Sequence, residues 1–224
     1  MHPLIANLKG KLIVSVQAYP GEPMRHPETM AQIARAAEIG GAAAIRCQGL
    51  SDISAIKGRV DVPVIGLWKE GHEGVYITPS LRHARACVMA GPDIGALDAT
   101  GRPRLDGLSF AETVAALRED GTLVMADCGS FEDAQRAVDA GVDIVSTTLA
   151  GYTGDRVKTD GPDLELLREV VAAFPDVPVI CEGRVHTPEQ AAAAIEAGAF
   201  AVIVGTAITH PTSITTWFKA AVEG

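Results

Sequence analysis

The feature that most constrains this chain is a strand-like apolar run followed by a helical pattern, repeated eight times along the sequence. The runs are short and rich in Val, Ile and Leu, and the segments after them place apolar residues at helical spacing. The predicted strands are Leu12–Ala18, Ala43–Cys47, Val62–Trp68, Ile94–Leu97, Leu123–Ala126, Asp143–Thr148, Val177–Cys181 and Ala201–Val204. The predicted helices are Thr29–Ile39, Asp52–Lys57, Leu81–Ala90, Ser109–Glu119, Phe131–Ala140, Leu164–Phe174, Pro188–Ala197 and Ile214–Val222.

This alternation predicts a parallel sheet with both faces covered, because parallel strands need crossover connections that usually contain a helix. Three helices end in the Ala-Gly steps Ala90-Gly91, Ala140-Gly141 and Ala197-Gly198, where glycine supplies the left-handed conformation that ends a helix. No segment resembles a linker, so we predict one domain over residues 1–224, an α/β chain folded as a (β/α)8 TIM barrel. An open doubly wound sheet is the alternative, disfavoured because no GxGxxG sequence follows the first strand.

Charge and composition exclude several classes of protein. With 19 basic and 28 acidic residues, the net charge is −9, the wrong sign for binding nucleic acid or an anionic membrane surface. The four cysteines are far apart and lack CxxC spacing, which indicates a reduced, cytoplasmic setting. The N-terminus does not match a signal peptide, and no run approaches the roughly 18 apolar residues of a membrane span. We therefore expect a soluble protein that is not exported.

Polar residues follow the predicted strands at the point where each strand ends. In a barrel these ends converge on one pocket, so they indicate the chemistry of the site. In strand order they carry Gln17, Arg46, Lys69, Asp98, Asp127, Thr147 with Thr148, Glu182 with Arg184, and Gly205 with Thr206. A single charge at a strand end is often only the solvated start of a loop. Since charged residues are seldom deeply buried unless paired, the set as a whole predicts a functional site.

Two cations and at least two carboxylates in one pocket suit proton transfer at a carbon next to a carbonyl group. Lys69 and Glu182 are the candidate acid and base. A neutral Lys69 would need its pKa lowered from about 10.4 to about 7 or 8. A protonated Lys69 that faces an ionised Glu182 across the reacting carbon is less costly. The residues alone leave open whether two groups act or Lys69 alone is the base.

Two loops near the end of the chain favour an anionic ligand. Gly183 begins a loop that leads to Thr187-Pro188 before a helix, and Gly205 and Thr206 follow the eighth strand. Barrels commonly bind phosphate with the loops after strands seven and eight and a helix N-terminus. Thr187-Pro188 is also an ordinary N-cap sequence, which is the alternative interpretation. We favour a phosphate site because position and composition agree.

Other residues are interpreted as structural. His72 has no second histidine at ligand spacing and no strand end supplies a histidine, so no metal site is expected. We expect His83 to face solvent on its helix. Trp217 and Phe218 could pack on a partner chain, but membership of the core is favoured.

The motifs VQAYPGEP, ALDAT, TTLAGYT, EGR and ITHP occur in this order along the chain. In this combination the sequence resembles the N-acetylmannosamine-6-phosphate 2-epimerase family nearly end to end. The resemblance implies a (β/α)8 barrel that interconverts N-acetylmannosamine 6-phosphate and N-acetylglucosamine 6-phosphate in sialic acid catabolism. It also implies that no organic cofactor is needed and that the chain forms a homodimer.

The resemblance assigns roles to individual residues. The catalytic residues predicted in this way are Lys69 and Glu182. The predicted substrate-binding residues are Gln17, Arg46, Asp127, Gly183, Arg184, Gly205, Thr206 and His210. His210 stands where the family usually has an arginine that contacts the phosphate, which predicts weaker or pH-dependent phosphate binding. The loop EGHEG after Lys69 also departs from the family pattern.

Two alternative functions belong to different classes. Lys69 ends an apolar strand and could form a Schiff base, as in an aldolase or lyase. Alternatively, the barrel could bind a sugar phosphate without catalysis, for which His210 and the changed loop are the only indications.

Overall fold

The computed structural model describes residues 1–224, and its centre is a closed barrel of eight parallel strands in chain order. The strands are β1 (Leu12–Val16), β2 (Ala44–Gln48), β3 (Val64–Leu67), β4 (Ile94–Asp98), β5 (Leu123–Asp127), β6 (Ile144–Ser146), β7 (Val179–Glu182) and β8 (Ala201–Val204). β1 pairs with both β2 and β8, so the sheet has no edge. The (β/α)8 prediction is confirmed and the open sheet is excluded.

Ten helices surround or extend the barrel. They are α1 (Pro3–Ala6), α2 (Pro27–Ile39), α3 (Leu50–Lys57), α4 (Leu81–Met89), α5 (Phe110–Glu119), α6 (Phe131–Asp139), α7 (Leu164–Ala173), α8 (Pro188–Glu196), α9 (Thr206–Thr209) and α10 (Pro211–Glu223). All eight predicted helices are present. The short helices α1 and α9 are not predicted, because four residues are too few to show a helical period. The glycines of the three Ala-Gly steps have φ values of 96°, 78° and 100°, as expected for left-handed helix ends.

The strand pleat decides which side chains enter the barrel, because alternate residues point to opposite faces. At the amino ends of the strands the inward positions are apolar and form one cluster, which includes Ile13, Ile65, Ile94, Met125, Ile144, Ile180 and Ile203. Ile5 and Leu8, at and just after α1, join this cluster with 1% of their surface exposed. The helix α1 therefore closes the amino end of the barrel.

The inward positions change character toward the carboxyl ends of the strands. Two residues beyond Ile13, Ala44, Met125 and Ile180, the inward-facing residues are Ser15, Arg46, Asp127 and Glu182. The alternation that fills the lower barrel with aliphatic side chains thus delivers polar side chains to its upper end. Two further apolar clusters lie outside the strands, between the sheet and the helices.

The last helix departs from the sequence prediction. Trp217 is 38% exposed and Phe218 is 69% exposed, and α10 has no buried residue. The prediction that these two aromatic residues belong to the core is wrong. Helical spacing shows that a helix has an apolar face, but it does not show what covers that face. No helix of the structure is both long and apolar enough to cross a membrane.

Candidate active site

A cavity of about 810 Å³ opens at the carboxyl ends of the strands. The predicted site residues that line it are Gln17, Arg46, Lys69, Glu182, Gly183, Arg184, Gly205, Thr206 and His210. Asp127 is the exception, because its side chain is fully buried and meets the cavity only through its neighbours. The barrel therefore brings residues from distant parts of the chain to one place, as its geometry requires.

Arg46 is the charge around which two carboxylates are arranged. Its guanidinium donates to both oxygens of Asp127, at 2.9 Å from Nη1 to Oδ1 and 2.7 Å from Nη2 to Oδ2. The same Nη1 lies 3.0 Å from Oε2 of Glu182. Burial disfavours the guanidinium charge, but the two carboxylates outweigh it and raise the pKa of Arg46. Arg46 is therefore a permanent cation at the base of the cavity.

Glu182 is the last residue of β7, and its side chain is 11% exposed in the cavity wall. Burial raises the pKa of its carboxyl group, and the charge of Arg46 opposes this shift. The Thr148 hydroxyl lies 2.9 Å from Oε2 of Glu182. A carboxyl group whose pKa moves toward neutrality can both accept and return a proton, which acid/base catalysis requires.

Lys69 begins a hairpin rather than ending a strand. β3 stops at Leu67, and the backbone of Lys69 pairs with Ile77 in an isolated antiparallel bridge. The prediction that the third strand runs from Val62 to Trp68 is therefore too long at both ends. Burial lowers the pKa of Lys69 to about 8, assisted by Arg46 and opposed by Glu182 and Asp127. Roughly a tenth of the amine is then neutral at pH 7.

His83 holds the hairpin that carries Lys69, and the prediction that it faces solvent is wrong. The side chain is 3% exposed. Its Nε2 lies 2.9 Å from Oε2 of Glu70, its Nδ1 lies 2.5 Å from Oγ of Ser80, and its ring packs edge-on against Trp68 at 4.6 Å. His83 therefore contacts both chain neighbours of Lys69. The sequence does not predict this contact, because Trp68 and Glu70 come near His83 on α4 only after the hairpin that begins at Lys69 has folded back.

The loops after β7 and β8 form the opposite side of the cavity. A Cβ on Gly205 would lie 3.3 Å from Cβ of Ser15, so the absence of a side chain lets this loop approach β1 closely. Thr187 accepts a hydrogen bond from the backbone of Gln190 and forms a capping box with it at the start of α8. Thr187 is therefore an N-cap residue, as the alternative interpretation held. Gly183, Gly205 and Thr206 do line the cavity.

His210 lies between the cavity and the start of α10. Its Nδ1 lies 2.7 Å from Oγ of Ser213, and its Nε2 lies 3.3 Å from Oε1 of Glu22. Nε2 is nevertheless buried without a hydrogen-bond partner, because the contact with Glu22 is not aligned as a hydrogen bond. The ring of Tyr19 packs edge-on against His210 at 5.1 Å. One donor or acceptor at this end of the cavity is thus unsatisfied.

Arg184 lines the cavity but is also committed to a neighbouring loop. Its guanidinium donates to Ala150 O, Gly161 O and Thr159 Oγ1, at 2.7, 3.1 and 3.0 Å. It lies 5.1 Å from the ring centroid of Tyr152, another cavity residue. Its φ of 55° is unusual for a residue with a side chain and is held by these contacts. The observed contacts of Arg184 are with the loop after β6.

Tyr19 is a cavity residue that was not predicted to take part in the site, whereas Thr148 was predicted only as one of the polar strand-end residues. Tyr19 reaches toward both ends of it, since its ring lies 5.9 Å from Nζ of Lys69 and also contacts His210. Thr148 contacts both carboxylates. The only sequence signal for Tyr19 was its membership of the VQAYPGEP motif. No group of three or more His, Cys, Asp or Glu side chains is placed so that it could hold a metal ion.

The cavity of this (β/α)8 barrel combines a lysine of lowered pKa, a glutamate of raised pKa and a buried arginine. These features define the class of protein as a barrel enzyme equipped for acid/base chemistry. A family model described as "Putative N-acetylmannosamine-6-phosphate epimerase" matches residues 30–224. The chain therefore belongs to this family of carbohydrate epimerases, which are isomerases.

Individual relatives agree with the family model. A protein of Cutibacterium acnes is 62% identical over 222 residues, covering 98% of this chain and 97% of the relative. A protein of Corynebacterium glutamicum (strain R) is 52% identical over 220 residues, covering 97% and 95%. Both are described as "Putative N-acetylmannosamine-6-phosphate 2-epimerase". The solved N-acetylmannosamine-6-phosphate 2-epimerase from Clostridium perfringens superposes with a TM-score of 0.94 at 40% identity, covering 98% of this chain and 96% of that one.

Proposed function

We propose that this chain interconverts N-acetylmannosamine 6-phosphate and N-acetylglucosamine 6-phosphate by proton transfer at C2, without a cofactor, in amino-sugar catabolism. The observation that carries this proposal is the placement of Lys69 and Glu182 in one cavity, with their pKa values shifted toward each other. These shifts make the neutral amine and the protonated carboxyl group more accessible than in water, which suits a reaction that runs in both directions.

The proposed chemistry acts on the open-chain sugar. The C1 aldehyde acidifies the C2 proton because the negative charge left by its removal is delocalised onto the carbonyl oxygen, and nearby positive charge stabilises the resulting enolate. Arg46 and protonated Lys69 supply that charge. One of Lys69 and Glu182 removes the proton and the other delivers a proton to the opposite face of C2, which inverts the centre. The reverse reaction uses the complementary protonation states of the same two groups.

We assign the remaining predicted residues to binding. Gln17, Arg46 and Asp127 belong to the sugar end, and Asp127 acts by holding Arg46. Gly183, Gly205, Thr206 and His210 belong to the phosphate end, supported by the buried and unsatisfied Nε2 of His210. Arg184 contributes to binding by fixing the cavity wall that carries Tyr152.

The Schiff-base alternative uses the same lysine but leaves Glu182 without a comparable role. Neutral Lys69 is accessible at its pKa of about 8, so the amine is competent as a nucleophile. Family membership and the Lys69–Glu182 pair favour epimerisation. The same two observations disfavour a barrel that only binds a sugar phosphate.

Proton exchange at C2 tests the proposed function directly. In deuterated water, the protein should incorporate deuterium at C2 of N-acetylmannosamine 6-phosphate while forming N-acetylglucosamine 6-phosphate, which proton NMR resolves. The unphosphorylated sugar serves as the control and should exchange far more slowly, because it lacks the group that the phosphate end is proposed to bind. No exchange by well-folded protein would end the proposal. A covalent adduct trapped by borohydride would support the Schiff-base alternative instead.

We also propose that the chain forms a homodimer through the face of α10. This helix has no buried residue, and Phe218 and Val222 on it are 69% and 83% exposed. A 13-residue helix is marginal on its own in water, so a partner that covers this face would stabilise it.

Two further proposals concern the whole chain. Residues 1–224 form a single domain, which is supported by the pairing of β1 with β8. The setting is reducing and cytoplasmic, which is supported by four buried free cysteines.

Sedimentation velocity tests the dimer. The unaltered chain should sediment at twice the monomer mass, and Phe218→Glu should sediment as a monomer, because a buried carboxylate at an apolar interface is costly. Met89→Glu is the matched control, since Met89 is an equally apolar residue, 88% exposed on α4. It should leave the dimer intact. A monomeric unaltered chain contradicts the proposal.

A further inference from the structure

The hydroxyl of Thr148 lies at the centre of three oxygen atoms. Its Oγ1 is 2.7 Å from Oδ1 of Asp127, 2.9 Å from Oε2 of Glu182 and 2.8 Å from Oγ of Ser146. Thr148 follows β6 by two residues and lines the cavity beside Glu182. Like Arg46, it therefore contacts both carboxyl groups, but as a neutral hydroxyl group.

A hydroxyl group has one hydrogen to donate and two lone pairs to accept with. All three contacts of Thr148 are at hydrogen-bond distance, so one of them is a donation and the other two are acceptances. Ser146 has a hydrogen of its own and can donate to Thr148. If Asp127 and Glu182 were both ionised, one carboxylate oxygen would face a Thr148 lone pair with no hydrogen between them. The three contacts are satisfied together only when one of the two carboxyl groups is protonated.

The surroundings of the two carboxyl groups indicate which one holds the proton. Asp127 receives two aligned hydrogen bonds from Arg46 and has no exposed surface, so its ionised form is fully compensated. Glu182 has a single contact of 3.0 Å with Arg46 and lies at the cavity surface. The charged groups that face Glu182 are Arg46, Asp127 and Lys69. Of the two, Glu182 is the carboxyl group with fewer donors to stabilise its charge.

We propose that Thr148 is a positioning residue that links the two carboxyl groups by hydrogen bonds, so that the resting enzyme holds Glu182 protonated and Asp127 ionised. In this state Ser146 donates to Thr148, Glu182 donates to Thr148, and Thr148 donates to Asp127. The location of the resting proton does not depend on the substrate. The consequence for catalysis rests on the proposed epimerase function.

During turnover the hydroxyl of Thr148 would follow the charge. When Glu182 gives its proton to C2 of the enolate, a C–H bond forms and the Glu182 O–H bond breaks. The Thr148 hydroxyl then turns so that its own hydrogen points to the new carboxylate, and Asp127 keeps its two donors from Arg46. Thr148 retains its hydrogen throughout. In the reverse direction Glu182 takes the C2 proton, and Thr148 turns back to Asp127.

Infrared spectroscopy of the ligand-free protein tests the resting proton. The difference spectrum between unaltered protein and Glu182→Gln, at neutral pH, should contain the carbonyl-stretching band of a protonated carboxylic acid. Its absence would overturn the proposal, and so would a band that disappears in Asp127→Asn but persists in Glu182→Gln. Because no substrate is added, this result is independent of whether the epimerase function itself is correct.

Two variants of Thr148 test the positioning role. Thr148→Val keeps the shape but loses the hydroxyl, so ionised Glu182 loses a donor, and hydrogen bonds to charged groups are the stronger ones. The limb of the kcat/KM profile that requires ionised Glu182 should move to higher pH by about one unit. Thr148→Ser keeps the hydroxyl and should follow the unaltered profile. A Val variant with an unshifted profile, or a Ser variant shifted as far as Val, would contradict the role.

Discussion

Replacing Glu182 with Gln is expected to lower kcat by about 10²–10⁴-fold, the range over which a positioned acid or base contributes to rate. The amide is close in size to the carboxyl group and can still accept from Arg46 and Thr148, so the fold should survive. It cannot exchange a proton with C2. The measurement is the rate of interconversion of the two sugar phosphates, with the free energy of unfolding measured in parallel.

Glu196→Gln is the matched control for this prediction. Glu196 is an exposed residue of α8 that does not line the cavity, so the same Glu→Gln substitution can be made there. We expect its kcat to equal that of the unaltered enzyme. If the Glu182 variant kept more than a tenth of the activity while its control behaved normally, Glu182 would not be an acid/base residue.

The second large effect is expected on stability, from Arg46→Met. Removing the guanidinium leaves Asp127 fully buried and Glu182 nearly so without their common counter-charge. Breaking a buried pair from one side costs about 3–5 kcal/mol, because the remaining charge is uncompensated. Urea denaturation at neutral pH should show a loss of this order. A loss below about 1 kcal/mol would mean that the carboxylates do not depend on Arg46.

The pH dependence of this loss has a definite sign. In the Arg46 variant the pKa of Glu182 would be raised further in the folded protein, because the charge of Arg46 no longer opposes the effect of burial. A carboxyl group with a raised pKa destabilises the folded protein only when the pH is above its pKa in the unfolded chain, which is about 4. At lower pH it is protonated in both states and has no effect on stability. The deficit should therefore be smaller at about pH 4 than at pH 7. The double variant Arg46→Met with Asp127→Leu should recover part of the stability, since it leaves one fewer unpaired charge.

The sequence predicts the barrel and much of the site for a single physical reason. Strand residues alternate between faces, so once Ala44, Met125 and Ile180 are recognised as core, the residues two positions later must enter the barrel as well. Arg46, Asp127 and Glu182 follow from that alternation. The helix ends are also predictable, because the Ala-Gly steps encode them locally.

The remaining features depend on contacts that no local pattern encodes. The pairing of Arg46 with both carboxylates depends on three strands that are distant in sequence. His83 has helical spacing that is compatible with an exposed face, and it is buried only because Trp68 and Glu70 fold back onto it. Trp217 and Phe218 satisfy the pattern of a core helix, yet Trp217 packs only at the surface, against the ring of His186, and Phe218 stays 69% exposed.

The helix α1 has a consequence for how ligands reach and leave the cavity. Because Ile5 and Leu8 join the aliphatic cluster that fills the amino end of the barrel, the cavity opens only at the carboxyl ends of the strands. The product must leave through this opening before the next substrate can enter, and the loops after the strands surround it. Tyr19 lines this opening between Lys69 and His210, so ligands entering and leaving pass the same aromatic ring.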